Sequence, residues 1–215
     1  MVIKNQKLKR KNKSLFLIIG SLLILIGISV ISIKLITNIN NEKIEDNSLE
    51  NFYEEQILDR VVLDEEKKEV IKEPTEKKEE KKNITNYIAV IKIPKIGLEK
   101  GLVDKKHYLN NVNRNIEILS ESDMPNQENG NFILASHSGR GRTAYFKNLH
   151  KLKQDDLITI HYNQTKYEYK VVNMYHVEKN GTAHIVRNQH KNTLTLITCV
   201  AGTEKQLIVI AELIN

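Results

Sequence analysis

The feature that most limits how this chain can fold is a run of twenty uncharged residues near its N-terminus, residues 14–33. Most of them are leucine or isoleucine. At about 1.5 Å of rise per residue, a helix of this length spans the roughly 30 Å hydrocarbon core of a bilayer. A cleaved signal peptide usually has a shorter apolar region, about 7–15 residues, followed by small residues at the cleavage site. Neither property is present, so the sequence predicts one membrane-spanning helix over residues 14–37.

Basic residues lie mainly on one side of this predicted helix. Six precede it, whereas Lys34 alone follows it closely. The six are Lys4, Lys7, Lys9, Arg10, Lys11 and Lys13. Because short basic flanks stay on the cytoplasmic side of a membrane, we predict a single-pass protein of the cell membrane. Residues 1–13 form its cytoplasmic tail, and everything after the helix lies outside the cell.

The charge of the chain is divided among its segments. Residues 1–37 carry seven basic groups and no acidic ones, and residues 38–82 carry nine basic and fifteen acidic groups. The remainder carries seventeen basic and twelve acidic groups. No segment concentrates the positive charge that a nucleic-acid-binding face requires, so nucleic acid is not a predicted partner. The acidic middle of the chain is too charged to bury an apolar face, and we predict a charged stalk over residues 38–85.

A short helix is compatible with the first part of this stalk. Ser48 is a candidate N-cap, and the residues that follow it include apolar side chains at i+4 spacing. These are Leu49, Tyr53, Ile57 and Val61. Pro74 should interrupt any helix that continues beyond it.

After residue 84 the sequence changes to short runs of valine, isoleucine, tyrosine and threonine, bounded by asparagine, glycine and aspartate. Such runs are typical of β-strands, and several alternate between apolar and polar residues. Strands are predicted over residues 88–93, 132–135, 157–162, 166–177, 193–198 and 207–213. So many strands in about 130 residues favour a closed or nearly closed barrel over an open sheet with exposed edges. We therefore predict a mainly β domain over residues 86–215.

Cys199 is the only cysteine in the chain, so no intrachain disulfide can form. It ends a predicted apolar strand, in which Thr195, Ile197 and Cys199 share one face. Taken alone, a cysteine in this position is most often an inert thiol that packs as a small apolar group. A catalytic role requires a partner that handles protons.

His137 is the best candidate for that partner. It follows an apolar strand and begins a loop rich in glycine and arginine, within the segment LASHSGRGR at residues 134–142. The thiolate is the nucleophilic form of cysteine, and a nearby imidazolium favours it. The same imidazolium can then protonate a leaving amine. The other six histidines show no metal-ligand spacing, so the sequence predicts neither a metal site nor a cofactor.

Together these segments resemble the sortases, a family of cysteine transpeptidases. TLITC at residues 195–199 resembles the TLxTC motif of the family, and the strand that leads into Ser136 and His137 resembles its catalytic-histidine segment. Three further segments match in the expected order. They are a first strand at residues 90–97, the segment after the histidine at residues 146–157, and a closing strand at residues 208–213. The resemblance covers about residues 86–215.

The resemblance implies an eight-stranded sortase-type β-barrel, in which Cys199 attacks the carbonyl between Thr and Gly of an LPxTG-like sorting signal. A thioester acyl-enzyme follows, and an amine on a peptidoglycan precursor or on a pilin lysine resolves it. The implied partners are surface proteins of a Gram-positive cell that carry C-terminal sorting signals. A short connection at residues 179–191 and the lack of an aromatic Asp-Pro lid in residues 42–85 favour a class D-like sortase.

One position departs from the family pattern. Sortases commonly carry an arginine immediately before the apolar run of the last strand, where it is thought to steady the substrate and the developing oxyanion. This chain has Gln206 there, and a glutamine amide donates hydrogen bonds but brings no charge. Further candidates for substrate or oxyanion contacts are Thr198, Arg187 and Arg140, and the sequence does not choose among them.

Two alternatives to an active enzyme follow from these observations. Gln206 is compatible with a sortase-fold module that binds sorting signals or peptidoglycan without turning them over. A stalked structural or adhesive membrane protein with an incidental thiol is the other alternative. The motifs around His137 and Cys199 argue against it.

Overall fold

A single helix, α1 (Ile3–Glu65), forms the N-terminal part of the chain in the computed structural model, which describes residues 3–65 and 84–214. The candidate membrane span lies within Leu15–Leu58, and none of its most apolar stretch is buried. A helix whose apolar side chains are exposed all round is typical of one that meets lipid. This part of the chain is therefore compatible with a single-pass membrane anchor.

The helix continues past the apolar run into the segment predicted as a stalk. The chain has no proline before Pro74, and its Glu- and Lys-rich composition favours helix, so nothing ends α1 near residue 38. Ser48 accordingly lies inside α1 and does not cap it; its Oγ accepts a hydrogen bond from the Thr85 amide at 2.9 Å. Residues 66–83, which include Pro74 and most of the charged run, lie outside the described residues. The division into tail, span and stalk stays a prediction.

The chain divides into two compact units, Met1–Asp46 and Asn47–Asn215. The second unit contains the last turns of α1 together with the strands. Within it, Phe52 is only 6% exposed. The Tyr53 hydroxyl donates to Glu99 Oε1 at 2.9 Å, and the Tyr53 ring meets the His161 ring edge-on, with centroids 5.5 Å apart. The end of α1 is therefore packed as part of the β domain.

This packing leads to a stability prediction. Phe52→Ala is expected to lower the free energy of unfolding by roughly 3 kcal/mol, because it removes a buried aromatic ring and leaves a cavity. Chemical denaturation of the full chain in neutral detergent measures the change. Ile57→Ala is the matched control on the same helix, since Ile57 is 63% exposed, and it should change stability little. Equal effects of the two substitutions would contradict the packing of α1 on the domain.

Eight strands follow the helix and form one sheet. They are β1 (Ala89–Ile93), β2 (Leu98–Leu102), β3 (Glu117–Ile118), β4 (Asn131–Ala135), β5 (Leu157–Tyr162), β6 (Thr165–Glu178), β7 (Thr193–Cys199) and β8 (Lys205–Leu213). Their order in the sheet is β2-β1-β5-β6-β8-β7-β4-β3. The sheet curls into a nearly closed barrel, which confirms the predicted fold class.

Local sequence explains two joints of this barrel. β5 and β6 form a hairpin whose turn residues, Asn163 and Gln164, both have positive φ, at 47° and 60°. Two positive φ values are what a two-residue hairpin turn requires, and asparagine tolerates them well. At the open edge, the buried Asn115 side chain precedes β3 and donates from Nδ2 to the Gly101 carbonyl oxygen of β2 at 3.0 Å. This bond links the two edge strands.

Each face of the curled sheet carries an apolar cluster. The inward face holds the main apolar core, which includes Phe132, Leu134, Leu194, Leu196 and Val209. The outward face of β4, β7 and β8 carries a smaller apolar group, here called the outer cluster. It consists of Ile133, Ile197, Ile208 and Ile210. Ala183 and Ile185, from the segment between β6 and β7, pack against the outer cluster.

Candidate active site

Cys199 and His137 lie at the same end of two neighbouring strands, β7 and β4. These strands are the one parallel pair among the described strands, and Ala135 at the end of β4 lies beside Ile197. The register therefore pairs residues 62 positions apart. Because Cys199 and His137 each follow this pair by two residues, the same register sets them side by side. Neighbouring strands are about 4.8 Å apart, which allows a thiol and an imidazole to meet.

Hydrogen bonds extend this pairing past the end of β4. The Ser136 amide donates to the Ile197 carbonyl oxygen at 3.2 Å, and the Thr198 hydroxyl donates to the Ser136 carbonyl oxygen at 2.7 Å. Ser136 and Thr198 are both buried. This joint fixes the backbone immediately before His137 and Cys199. Thr198, a candidate substrate contact by sequence, thus has its hydroxyl proton committed to the protein backbone.

The site opens on the outer surface of the barrel. Leu194 and Leu196 of β7 point into the main core, so alternation directs Ile197 and Cys199 outward. Cys199 is half-buried, and so is His137. The thiol is therefore reachable from solvent and continues the same face as the outer cluster. The outer cluster itself is buried, with each of its four isoleucines at most 6% exposed, so Cys199 is the reachable part of this face.

Asn113 is a third polar group at this site, and sequence reasoning missed it. Its Oδ1 lies 3.0 Å from Nε2 of His137. In the tautomer that has its proton on Nε2, this amide oxygen accepts a hydrogen bond from it and Nδ1 is the nitrogen that can exchange a proton. Asn113 lies in the exposed connection between β2 and β3. No motif marks it, because the contact exists only where that connection folds back over the end of β4.

Gln206 lies directly across from Cys199. The antiparallel register of β7 and β8 pairs the two residues, and directly paired residues project from the same face of a sheet. Gln206 is half-buried, so its amide flanks the thiol while keeping some access to solvent. Lys205 is exposed and projects from the opposite face by alternation. The structure thus brings Gln206 to the site together with Cys199 and His137.

The two arginines singled out by sequence lie elsewhere. Nη1 of Arg187 donates to the Asn129 carbonyl oxygen at 3.1 Å and to the Asn188 carbonyl oxygen at 3.2 Å. Asn129 precedes β4, so Arg187 is at the far end of the strands from Cys199. Arg140 lines a cleft beside the loop that follows His137. Neither guanidinium therefore occupies the position across from Cys199.

The described residues contain no group of three or more His, Cys, Asp or Glu side chains that could hold a metal ion. What the site offers is a thiol, an imidazole with an amide partner, and a second amide on one surface. This set suits nucleophilic attack on a carbonyl followed by proton transfer to a leaving amine.

Comparisons with known proteins identify the family and the fold. A model of the sortase domain family matches residues 91–214. The sortase D5 transpeptidase of Clostridium perfringens is 25% identical, over 80% of this chain and 99% of that one, with a TM-score of 0.58. Sortase A of Corynebacterium diphtheriae, as a lid mutant, is 25% identical over 60% of this chain and 70% of that one, with a TM-score of 0.53.

A third similar structure shares the fold at lower identity. It is sortase C of Clostridium perfringens with the C-terminal cell wall sorting motif, 22% identical over 60% of this chain and 71% of that one, with a TM-score of 0.53. No curated protein sequence matches the chain. The similarity to a clostridial sortase D is compatible with the class D-like interpretation. Since the family match spans more than half of its length, this chain belongs to the sortase family of cysteine transpeptidases.

Proposed function

We propose that this chain is an active sortase that cleaves an LPxTG-like sorting signal between Thr and Gly. The Cys199 thiolate attacks the Thr carbonyl carbon, a sulfur–carbon bond forms, and the Thr–Gly amide bond breaks. The leaving Gly amine takes a proton from the His137 imidazolium. The observation that carries this proposal is the parallel β4–β7 register, in which His137 and Cys199 occupy equivalent positions.

The second half of the reaction joins the substrate to a new amine. An acceptor amine attacks the thioester carbonyl and gives a proton to His137, and the thiolate leaves. The product is a new amide, and the enzyme returns to its starting state. Asn113 supports both halves, because its contact with Nε2 restrains the imidazole ring beyond the end of β4.

The outward position of Cys199 supports a peptide substrate. Ile197 and Ile208 lie on the face that ends at Cys199, and Ile185 packs on them from the segment between β6 and β7. Because the outer cluster is already buried, a sorting signal would approach the half-buried thiol at the end of the strand. The similar sortase C structure that contains a cell wall sorting motif favours the same class of partner.

The helix α1 supports a location at the membrane. With an anchor over residues 14–37, a cytoplasmic tail over residues 1–13 and a stalk over residues 38–85, the catalytic domain would work on the outer face of a Gram-positive cell membrane. Surface proteins and cell-wall precursors both pass that face. The acceptor is then an amine of a peptidoglycan precursor or of a pilin lysine.

A peptide-cleavage assay tests the proposal. The full chain in neutral detergent is incubated with a quenched fluorescent LPxTG-type peptide, with and without triglycine as an acceptor amine. We expect time-dependent cleavage, and mass spectrometry should find the Thr-terminated fragment joined to triglycine. Saturable binding of the peptide without cleavage would instead support the non-catalytic module that Gln206 suggests. Neither binding nor cleavage of any LPxTG-type peptide would contradict both proposals.

Gln206 gives a sharper prediction about the oxyanion. Gln206→Ala is expected to lower kcat/KM by about 10²-fold, the usual cost of one lost oxyanion donor. Gln206→Arg should preserve or raise kcat/KM, because arginine adds charge-assisted donors at the same position. Steady-state kinetics of the peptide assay measures both. Lys205→Ala, on the opposite face, is the matched control and should change kcat/KM little. Complete loss in Gln206→Arg would contradict this assignment.

Asn113 gives a second prediction. Asn113→Ala is expected to lower kcat/KM by about tenfold, since a hydrogen bond to a group that becomes charged is worth roughly 1.5 kcal/mol at an exposed site. Asn113→Asp keeps an acceptor oxygen and should lose less. Asn180→Ala, another exposed loop asparagine, is the control. An equal loss in the control would show that the effect does not come from the contact with His137.

A further inference from the structure

The connection between β6 and β7 lies over the outer face of the sheet. Residues 183–187 alternate between half-buried and exposed, as an extended chain on a surface does. The half-buried Ala183 and Ile185 pack against the outer cluster, whereas Val186 is 54% exposed. Residues 183–186 are here called the cover. Together with Leu119, the cover packs on the outer cluster from outside the sheet, which is why outward-facing isoleucines are buried.

Strand pairing places an anchor of this cover one row behind the catalytic residues. Tyr175 of β6 pairs with Ile208 of β8, which in turn pairs with Ile197 of β7. Two residues along a strand advance about 7 Å. The next row on the same face consists of Val177, Gln206 and Cys199. Tyr175 therefore projects from the row adjacent to the one that contains the thiol.

The hydroxyl of Tyr175 holds the cover by two hydrogen bonds. It donates to the His184 carbonyl oxygen at 2.9 Å and accepts from the Val186 amide at 2.7 Å. A phenol hydroxyl can donate and accept at once, and these two backbone groups flank Ile185. The two bonds therefore fix the part of the backbone that carries Ile185 against the outer cluster.

The two ends of the cover are held differently. Gly181, shortly before it, is exposed and has a φ of 87°, a conformation that glycine adopts without strain. Directly after the cover, Arg187 donates to the carbonyl oxygens of Asn129 and Asn188. Loss of the Tyr175 bonds would therefore release a short stretch between a glycine turn and a fixed arginine.

From these observations we propose that the cover occupies the place of a bound peptide on the outer face, and that Tyr175 is the positioning residue that holds it there. The cover is an extended chain that sets an apolar side chain, Ile185, on apolar surface one row from a nucleophilic thiol. An LPxTG-like signal carries apolar residues before its Thr, so it needs the same surface when its Thr carbonyl reaches Cys199. The cover must then lift before the signal binds fully. This inference rests on the proposed function, because it concerns access of the peptide to that site.

Peptide binding to a chain that cannot turn over tests the role of Tyr175. Full-length Cys199→Ala in neutral detergent is titrated with a fluorescein-labelled LPxTG-type peptide, and fluorescence anisotropy gives Kd. Adding Tyr175→Phe should tighten binding by roughly three- to tenfold, because phenylalanine keeps the ring but loses both hydrogen bonds, and a larger fraction of the chain is then open. Tyr167→Phe, at a half-buried tyrosine of the same strand, is the matched control and should leave Kd unchanged. Weaker or unchanged binding in Tyr175→Phe would overturn the proposal.

Hydrogen–deuterium exchange follows the cover directly. Its backbone amides should exchange faster in Tyr175→Phe than in the unaltered chain, whereas the amides of β7 and β8 should exchange at the same rate in both. Saturating peptide should also speed exchange of the cover in Cys199→Ala, because the peptide displaces it. Slower exchange of the cover on peptide binding would mean that the peptide lies on top of it, and the proposal would be wrong.

The cleavage assay separates this inference from the proposed function. In active chain, Tyr175→Phe should lower KM by the same factor as Kd and leave kcat within twofold, whereas a merely destabilised site would lose kcat. If Tyr175→Phe tightens binding but no chain cleaves the peptide, the role of Tyr175 stands and the catalytic proposal fails. If the unaltered chain cleaves the peptide and Tyr175→Phe does not lower KM, the catalytic proposal stands and this inference fails. Peptide binding by none of the variants would overturn both.

Discussion

Cys199→Ala is expected to abolish both peptide cleavage and transfer to triglycine, a loss of at least about 10⁴-fold in kcat. The chain has one cysteine, so no second thiol can take over the attack on the carbonyl. The half-buried position of Cys199 beside Gln206 makes the substitution a small change in volume at the protein surface. The fold should therefore survive, and thermal unfolding of the variant tests that directly.

Intact-mass spectrometry adds a readout that does not depend on product release. With the unaltered chain and an excess of LPxTG-type peptide, a thioester adduct should form at residue 199, and hydroxylamine should release it. Cys199→Ser should form no adduct under the same conditions, because a serine hydroxyl at this site lacks the acidity of a thiol. Cleavage that persists in Cys199→Ala would mean that the thiol is incidental, as in a stalked structural protein.

Much of the barrel was predictable because its strands are locally consistent. Six strands carry runs of β-branched and aromatic residues, and their predicted limits agree with the structure to within two residues. β2 was not predicted, because its sequence LEKGL contains glutamate, lysine and glycine, which strands generally disfavour. β3 has only two residues and no pattern to detect. Pairing with neighbours, and not propensity, makes these two segments strands.

The C-terminal part of α1 shows that an acidic composition does not exclude packing against a domain. Residues 47–65 were assigned to a stalk because they are rich in acidic groups. Yet Phe52 is buried, and Tyr53 reaches Glu99 and His161. These two adjacent aromatic residues dock the helix, while Glu50, Glu54 and Glu55 are exposed to solvent. Sequence alone does not show which surface such a pair will meet.

The candidate site, too, was only partly predictable from the sequence. Cys199 and His137 were found from their motifs, whereas the reason for their proximity is a parallel pairing across 62 positions, which local patterns do not reveal. Gln206 was singled out because it departs from the family pattern. The structure pairs it with Cys199 across β7 and β8, which sequence alone does not show. Asn113 had no signal at all, since its role depends on one loop closing over another strand.

His137→Ala is expected to lower kcat/KM by roughly 10³–10⁴-fold, the range set by the loss of general acid–base catalysis. Two steps fail together in this variant. The thiol loses the base that removes its proton, and the leaving amine loses the acid that would protonate it. His150→Ala, which alters an exposed histidine in the short turn after the same loop, is the matched control and should stay within twofold.

Thiol reactivity separates a catalytic role of His137 from a structural one. Iodoacetamide alkylates the thiolate, so its rate at Cys199 near neutral pH should fall several-fold in His137→Ala but not in His150→Ala. Added imidazole should restore part of the peptide cleavage, because the small vacated space lies at the surface of the barrel. A misfolded site would show neither the selective loss of alkylation nor this rescue. Near-normal cleavage by His137→Ala would remove the histidine from the mechanism. The position of His137 beside Cys199 would then have no catalytic meaning.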